Sequence, residues 1–288
     1  MHVHTRHSGM CNVPLLSRVC RERYNDPRAV YETLKARGMD LVTVTDHDSI
    51  GACESLRRFP DFFLSEEVTC VTPSGTEVHI GVYGIEERHH IELQRRRKDM
   101  PALAAYLREQ RLFSSVNHVF SSLTGRRTAS DFQVFEDHFP WLETLNGQIP
   151  GSNNRTAARL AQHWSKAPVG GSDAHTLESL GSTYTAVPAA QNVQDFLAGL
   201  RRGQGRVRGA SGTYYKLTRA ILEIGSGLVR EHNWAVALAP LMLLVPLVTL
   251  ANHCNELLFA ARWSRWIAGE RFRVRMADPL LEALDAGE

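Results

Sequence analysis

Along the first two hundred residues, short apolar runs alternate with longer stretches of mixed polarity. Asp40-Leu41-Val42-Thr43-Val44-Thr45 predicts a buried strand, preceded by a helix over about 27–37 that Gly38 ends. Phe62-Phe63-Leu64 leads into a strand at 67–71, and the turn residues Pro73-Ser74-Gly75 join it to a second strand at 77–83, a hairpin-like unit. Residues 91–110 predict helix, divided or restarted at Pro101. Further strands are expected at 113–118, 141–146 and 167–173, with a helix over 154–165, while 121–131 and 147–154 read as loops. This alternation predicts an α/β architecture arranged as a barrel.

The pattern changes near residue 212. A helix is expected over 216–230, and residues 234–251 then run without a charge. That length reaches the threshold for a membrane span, although Pro240 and Pro246 interrupt it and His232 and His253 flank it. Trp263 and Trp266, among Arg262, Arg265, Arg271, Arg273 and Arg275, make a segment similar to an interfacial anchor. The division expected is a domain over 1–212 and a hydrophobic helical C-terminal extension over 213–288 that contacts a membrane through 234–251. A buried helical hairpin or a dimer interface is the other reading of that run.

With 43% hydrophobic residues in 288, the chain can bury a substantial core. Its net charge of +2 is too mild to point to nucleic acid as a general partner. The five cysteines are odd in number and form no C-x-x-C pair, which fits reduced thiols better than a disulfide framework or a zinc knuckle. The start of the chain is polar and His-rich, unlike a signal peptide, so the expected location is the cytoplasm or the cytoplasmic face of a membrane.

The chemistry lies in the thirteen histidines. In His2-Val3-His4, strand geometry would turn both imidazoles to one face, where they could share a metal ion. Thr45-Asp46-His47-Asp48 stands at the end of an apolar strand, with His47 the expected ligand and Asp46 its orienting partner. Glu67 suits the bridging of two divalent ions, its neighbour Glu66 facing away. His79 and His118 each read alone as a hydrogen-bonded core histidine. Gly171-Ser172-Asp173-Ala174-His175 supplies another i, i+2 pair. Taken together, six strand ends carry His, Asp or Glu, which random placement would seldom produce.

The ordered set His2-Val3-His4-Thr5, Thr45-Asp46-His47-Asp48, Glu67-Val68-Thr69, His79, Asn117-His118 and Gly171-Ser172-Asp173-Ala174-His175 resembles the polymerase and histidinol phosphatase (PHP) family over about residues 1–212. The resemblance implies a distorted (β/α)7 barrel holding two or three divalent ions, zinc, manganese or iron. It implies that His2, His4, Glu67 and Asp173 serve one ion and that Glu67, His79 and His118 serve a second. His47 and His175 would complete a third position. The family's carboxylate shortly after H-x-H is missing from Arg6-His7-Ser8-Gly9-Met10, which favours two ions unless His7 reaches the third position. Met1 directly precedes His2, so either the first strand is short or residues stand upstream of it; the second is expected, because a ligand at an extreme terminus is poorly held.

The activity implied is hydrolysis of a phosphate ester by metal-activated water, the substrate a small phosphomonoester or a nucleotide or oligonucleotide end. Asp173 and His175 are the expected catalytic residues, with His175 or a bound water protonating the leaving group. Arg6 or Arg126-Arg127 would neutralise the phosphoryl oxygens, and Arg95-Arg96-Arg97-Lys98 reads as an exposed helix face. Two other readings are an amidohydrolase-like hydrolase of a non-phosphate bond and a non-catalytic, metal-stabilised interaction module.

Overall fold

The computed structural model describes residues 1–10, 18, 20–22 and 24–285, the side chains as far as residue 269. Cys11 and the side chains of Arg271, Arg273 and Arg275 lie outside the described residues. Helix α1 (Pro27–Ala36) starts where the Asp26 carboxylate accepts the Arg28 and Ala29 N–H groups, with Pro27 in its first turn. It ends at Arg37, followed by Gly38 with φ 80°. After the single turn α2 (Cys53–Leu56) come the antiparallel strands β1 (Ser65–Val71) and β2 (Glu77–Tyr83), which place Glu67 opposite Gly81.

Helices α3 (Glu87–Arg96) and α4 (Met100–Glu109) follow, the second opening with Pro101 in its first turn. Strand β3 (Phe113–Val116) pairs antiparallel with β2. Helix α5 (Ala129–His138) opens with a reciprocal cap between Thr128 and Asp131 inside the segment expected to be a loop. Strand β4 (Trp141–Asn146), helix α6 (Gly151–His163) and strand β5 (Ala167–Gly171) then add two parallel strands, giving a five-stranded sheet ordered β1-β2-β3-β4-β5. Strands β6 (Thr183–Ala186) and β7 (Arg206–Gly209), with helix α7 (Val193–Arg201) between them, form a separate antiparallel pair. None of these three elements, nor α5, was expected from the sequence pattern.

The strand expected at 40–45 does not form a ladder. Its one bridge is Val42 to Phe62, with His47 just beyond it bridging Glu67, and scattered hydrogen bonds such as Thr43 Oγ1 to the Phe63 carbonyl hold the rest. The first residues behave alike: Val3 bridges Ala174, and its carbonyl accepts the Thr45 N–H at 2.7 Å. The architecture is thus mixed α/β, and no closed barrel of strand ladders is present among the described residues. Gly171 permits the approach of the first segment, since a Cβ there would stand 2.3 Å from His2 Cβ and 2.6 Å from His2 N.

One face of the sheet, with Val68, Ile80, Val116 and Leu142, packs against Leu103, Phe132 and Leu160 from α4, α5 and α6. The C-terminal helices are α8 (Tyr214–Glu231) and α9 (Val245–Asp285), joined by 3-10 turns over Asn233–Leu244. Trp263 and Ile267 of α9 belong to that same core, the Trp263 ring lying 4.4 Å from Phe132. This corrects the interfacial-anchor reading of Trp263, whose indole is buried against phenylalanine. The run Asn233–Gly269 is long and apolar enough to cross a membrane by length and composition, with 17% of its most apolar window buried. Leu243, Leu247 and Leu258 are among the side chains it exposes.

Candidate metal centre

The single bridges bring the ends of several chain segments to one buried point. His2 and His4 project from the first segment to the same side, Nε2 facing Nε2 at 3.1 Å. Glu67, the third residue of β1, meets both, its Oε2 lying 3.1 Å from His2 Nε2 and 3.3 Å from His4 Nε2. Asp173 closes the group, its Oδ1 at 3.6 Å from His2 Nε2 and 3.3 Å from His4 Nε2. Nitrogen and oxygen donors placed tetrahedrally around an ion at about 2.0–2.1 Å stand about 3.3 Å from one another. These five separations lie close to that spacing.

The second oxygen of Glu67 faces the other way. Its Oε1 lies 3.3 Å from His118 Nε2 and 3.7 Å from His79 Nδ1, and those two nitrogens are 3.3 Å apart. His47 Nδ1 approaches Oε2 at 3.4 Å, while its Nε2 stands 3.7 Å from Glu22. One carboxylate thus touches five imidazoles through its two oxygens. Groups close enough to share an ion are His2, Glu67 and His118, then His2, His4 and Asp173, all buried, then His4, Glu67 and the half-buried His47.

Neighbouring groups hold these side chains in place. Glu143 Oε1 accepts from His2 Nδ1 at 2.8 Å, and its Oε2 accepts the His118 backbone N–H and Asn146 Nδ2. Asn117 Nδ2 donates to Glu67 Oε1 at 2.8 Å, and Asn146 Nδ2 to Asp173 Oδ2 at 3.1 Å. Glu143 went unnoticed in the sequence because it sits within an apolar strand phrase with no histidine beside it. His118 and Asp173 adopt positive φ, 27° and 45°, a costly conformation for a side-chain-bearing residue that turns each sharply at its strand end.

Several expectations change. Asp46 does not orient His47; it accepts from Thr5 N, Thr5 Oγ1 and Ser8 Oγ, and Ser8 Oγ meets His4 Nδ1 at 3.0 Å, so its hold is on His4. His175 joins none of the three donor groups, its Nδ1 bonding the Asp173 carbonyl at 2.7 Å. Arg6 is half exposed and pairs with Asp26 at 3.3 Å. Arg127 is buried, not a solvated loop residue, and donates to the Glu77 carbonyl and Thr124 Oγ1. Arg97, expected on an exposed face, pairs with Asp48.

Charge in the centre is tightly coupled. Burial pulls His2 down, yet Glu67, Glu143 and Asp173 outweigh it and hold the imidazole well above its usual range. His4, opposed by burial but bonded to Asp173 and Glu67, is raised to about 9. Glu67 and Asp173 are held well below the ordinary carboxylate range, because the surrounding imidazoles overcome the opposing effect of burial. Such a cluster keeps protons where a divalent cation would otherwise sit, so protons and metal compete for it.

A buried set of imidazoles and carboxylates in a mixed α/β fold makes a cluster that could hold a metal ion. Residues 151–204 match the PHP-associated family model, PHP_C, a segment that takes in Asp173 and His175. PsfC from Pseudomonas syringae shares the fold at a TM-score of 0.56 and 16% identity, covering 78% of this chain and 96% of that one. A protein assigned as a metal-dependent phosphoesterase, from Bifidobacterium adolescentis, matches at a TM-score of 0.41 and 16% identity, covering 63% and 92% of the two chains. The lesion-specific endonuclease PfuEndoQ from Pyrococcus furiosus matches at 0.47 and 16%, covering 72% of this chain and 56% of that one. No curated protein matches this sequence.

Proposed function

We propose that the chain is a metal-dependent phosphoesterase of the PHP type. The observation that carries this reading is the cage of His2 Nε2, His4 Nε2, Glu67 Oε2 and Asp173 Oδ1, with five separations between 3.1 and 3.6 Å. One divalent ion would be held there. A second would be held by Glu67 Oε1, His79 and His118, with Glu67 bridging, and His47 stands beside both. Zinc, manganese or iron bound in these places would supply Lewis acidity to the phosphoryl group and acidify a water for attack.

The chain's own residues do the rest. Glu143 and Ser8 orient His2 and His4 through their second ring nitrogens, so Nε2 of each is turned to the ion. His175 gives its Nδ1–H to the Asp173 carbonyl, which holds the ring beside Asp173, and it is the residue proposed to exchange a proton with the leaving group. The substrate class is a small phosphomonoester or a nucleotide or oligonucleotide end. The two bridged segments at 2–4 and 42–47 are proposed to stand for two strands of a distorted (β/α)7 barrel, beside the five of the sheet.

The exposed apolar side chains of 234–251 support peripheral membrane contact at the cytoplasmic face. Thr249 and Glu256 are buried against the body, so one side of α9 is already occupied and contact along the other is favoured over a span.

The test is a phosphate-ester screen of the full chain loaded with manganese or zinc. Turnover that disappears in the His2→Ala/His4→Ala double variant is expected, and turnover that survives it removes the site assignment. Less than one equivalent of metal with no turnover would leave the non-catalytic module.

A further inference from the structure

Phosphoryl chemistry needs a cation beside the ions; of the arginines the motifs suggested, Arg6 pairs with Asp26, Arg127 is bound to backbone and Thr124, and Arg126 is exposed. We propose that Lys216, at the start of α8, is the cation that receives the substrate's phosphoryl group, completing the centre from the C-terminal extension. The proposal rests on the phosphoesterase reading above.

Lys216 lies in the first turn of α8, where the Thr213 hydroxyl caps its backbone N–H at 3.2 Å. Its Nζ donates to the Gly147 carbonyl at 2.6 Å and to Ser182 Oγ at 2.9 Å. Gly147 follows Asn146, the residue that bonds Asp173 Oδ2, and its own N–H donates to Gly171 in the strand leading to Asp173. The ammonium is thus fixed against the loop that supports a metal-centre carboxylate. Burial pulls the ammonium's pKa below its usual value, and the charge of Asp173 opposes that pull.

The partners of Lys216 are what set it apart. Arg57, Arg97 and Arg219 each pair with a carboxylate, which consumes their charge. Lys216 is half-buried and held by two neutral acceptors, and among the described residues no carboxylate lies within ion-pair distance of it. An ammonium has three donors, so one N–H and the full charge are left for an anion. Partial burial without a counter-ion is costly unless a ligand supplies the charge.

The test measures inorganic phosphate binding to the manganese-loaded full chain by calorimetry, beside metal content and melting. Lys216→Met should weaken phosphate binding about 10- to 100-fold, the loss of one charged hydrogen bond, with metal content unchanged. Lys216→Arg should retain most of the affinity. Should Lys216→Met fail to fold, Lys216→Gln, whose amide still offers a donor toward Gly147, carries the same expectation. An affinity within about twofold of wild type in the neutral variant overturns the proposal, as does a loss of metal that accounts for the whole effect. Turnover of esters with phosphate binding indifferent to residue 216 removes Lys216 and leaves the function standing. Lys216-dependent phosphate binding without turnover does the reverse.

Discussion

His2 and Glu143 are joined by a 2.8 Å hydrogen bond from Nδ1 to Oε1 across 141 positions of sequence. The bond fixes which ring nitrogen of His2 faces Glu67 and Asp173. The other Glu143 oxygen meanwhile pins the backbone of His118. A single buried carboxylate therefore holds His2 and His118, which lie against opposite oxygens of Glu67.

Replacing it is expected to act on the metal before the fold. Glu143→Gln should lower metal affinity by about 10- to 100-fold, as loss of such an orienting partner typically does. Competition titration with a chromophoric chelator measures this, and an unchanged affinity would remove Glu143 from the centre.

Stability of the metal-free protein should fall with rising pH on the alkaline side. His4 is raised from 6.5 to about 9, so its stabilising contribution is complete below pH 6.5 and lost as pH passes through about 9. His2 is shifted in the same direction. Melting of chelator-treated protein between pH 6.5 and 9.5 should show a decline, and zinc or manganese should abolish it, since the ion prefers the deprotonated rings. Proton release on metal uptake, read in buffers of different ionisation enthalpy, should accompany this.

Gly171→Ala forces a methyl to within 2.3 Å of His2 Cβ. Overpacking of this kind costs about 1–3 kcal/mol, and here the atoms displaced carry a metal-facing ring. Loss of metal at a denaturant concentration that leaves the wild type loaded is the expected sign.

Trp263→Ala should destabilise the whole protein by about 3–5 kcal/mol, the usual cost of emptying a buried tryptophan site, because Trp263 packs on Phe132. Chemical denaturation would detect it. A truncation to residues 1–212 should expose that same surface and aggregate, whereas a stable, monodisperse fragment would show that α9 is dispensable to the core.

Much of the cluster was legible because its histidines and acids stand in short polar phrases, most of them after apolar runs. His2, His4, Glu67, His79, His118 and Asp173 were found in that way, and the structure brings them together. The supporting shell was hidden, since Glu143, Asn146 and Asn117 acquire their roles through partners distant in sequence. Asp46 was noticed but assigned to its neighbour His47, whereas the fold presents it to Thr5 and Ser8. Helix α5 was hidden by its polar opening, where Thr128 and Asp131 satisfy each other's backbone. Strands β6 and β7 have only four residues each, too few to show a period. The segment at 40–45 has strand composition, yet its partners meet it at single points, so no ladder forms.

The buried carboxylate of Glu256 on α9 accepts from Ser121 Oγ, Ser122 N and Ser122 Oγ, in the turn directly after His118, and from Asn153 Nδ2. The rod that shows apolar side chains to the outside therefore also grips the loop carrying a ligand. Replacing Glu256 would therefore loosen the turn after His118 from the helix that carries the apolar face, joining the outer surface and the buried cluster through one carboxylate.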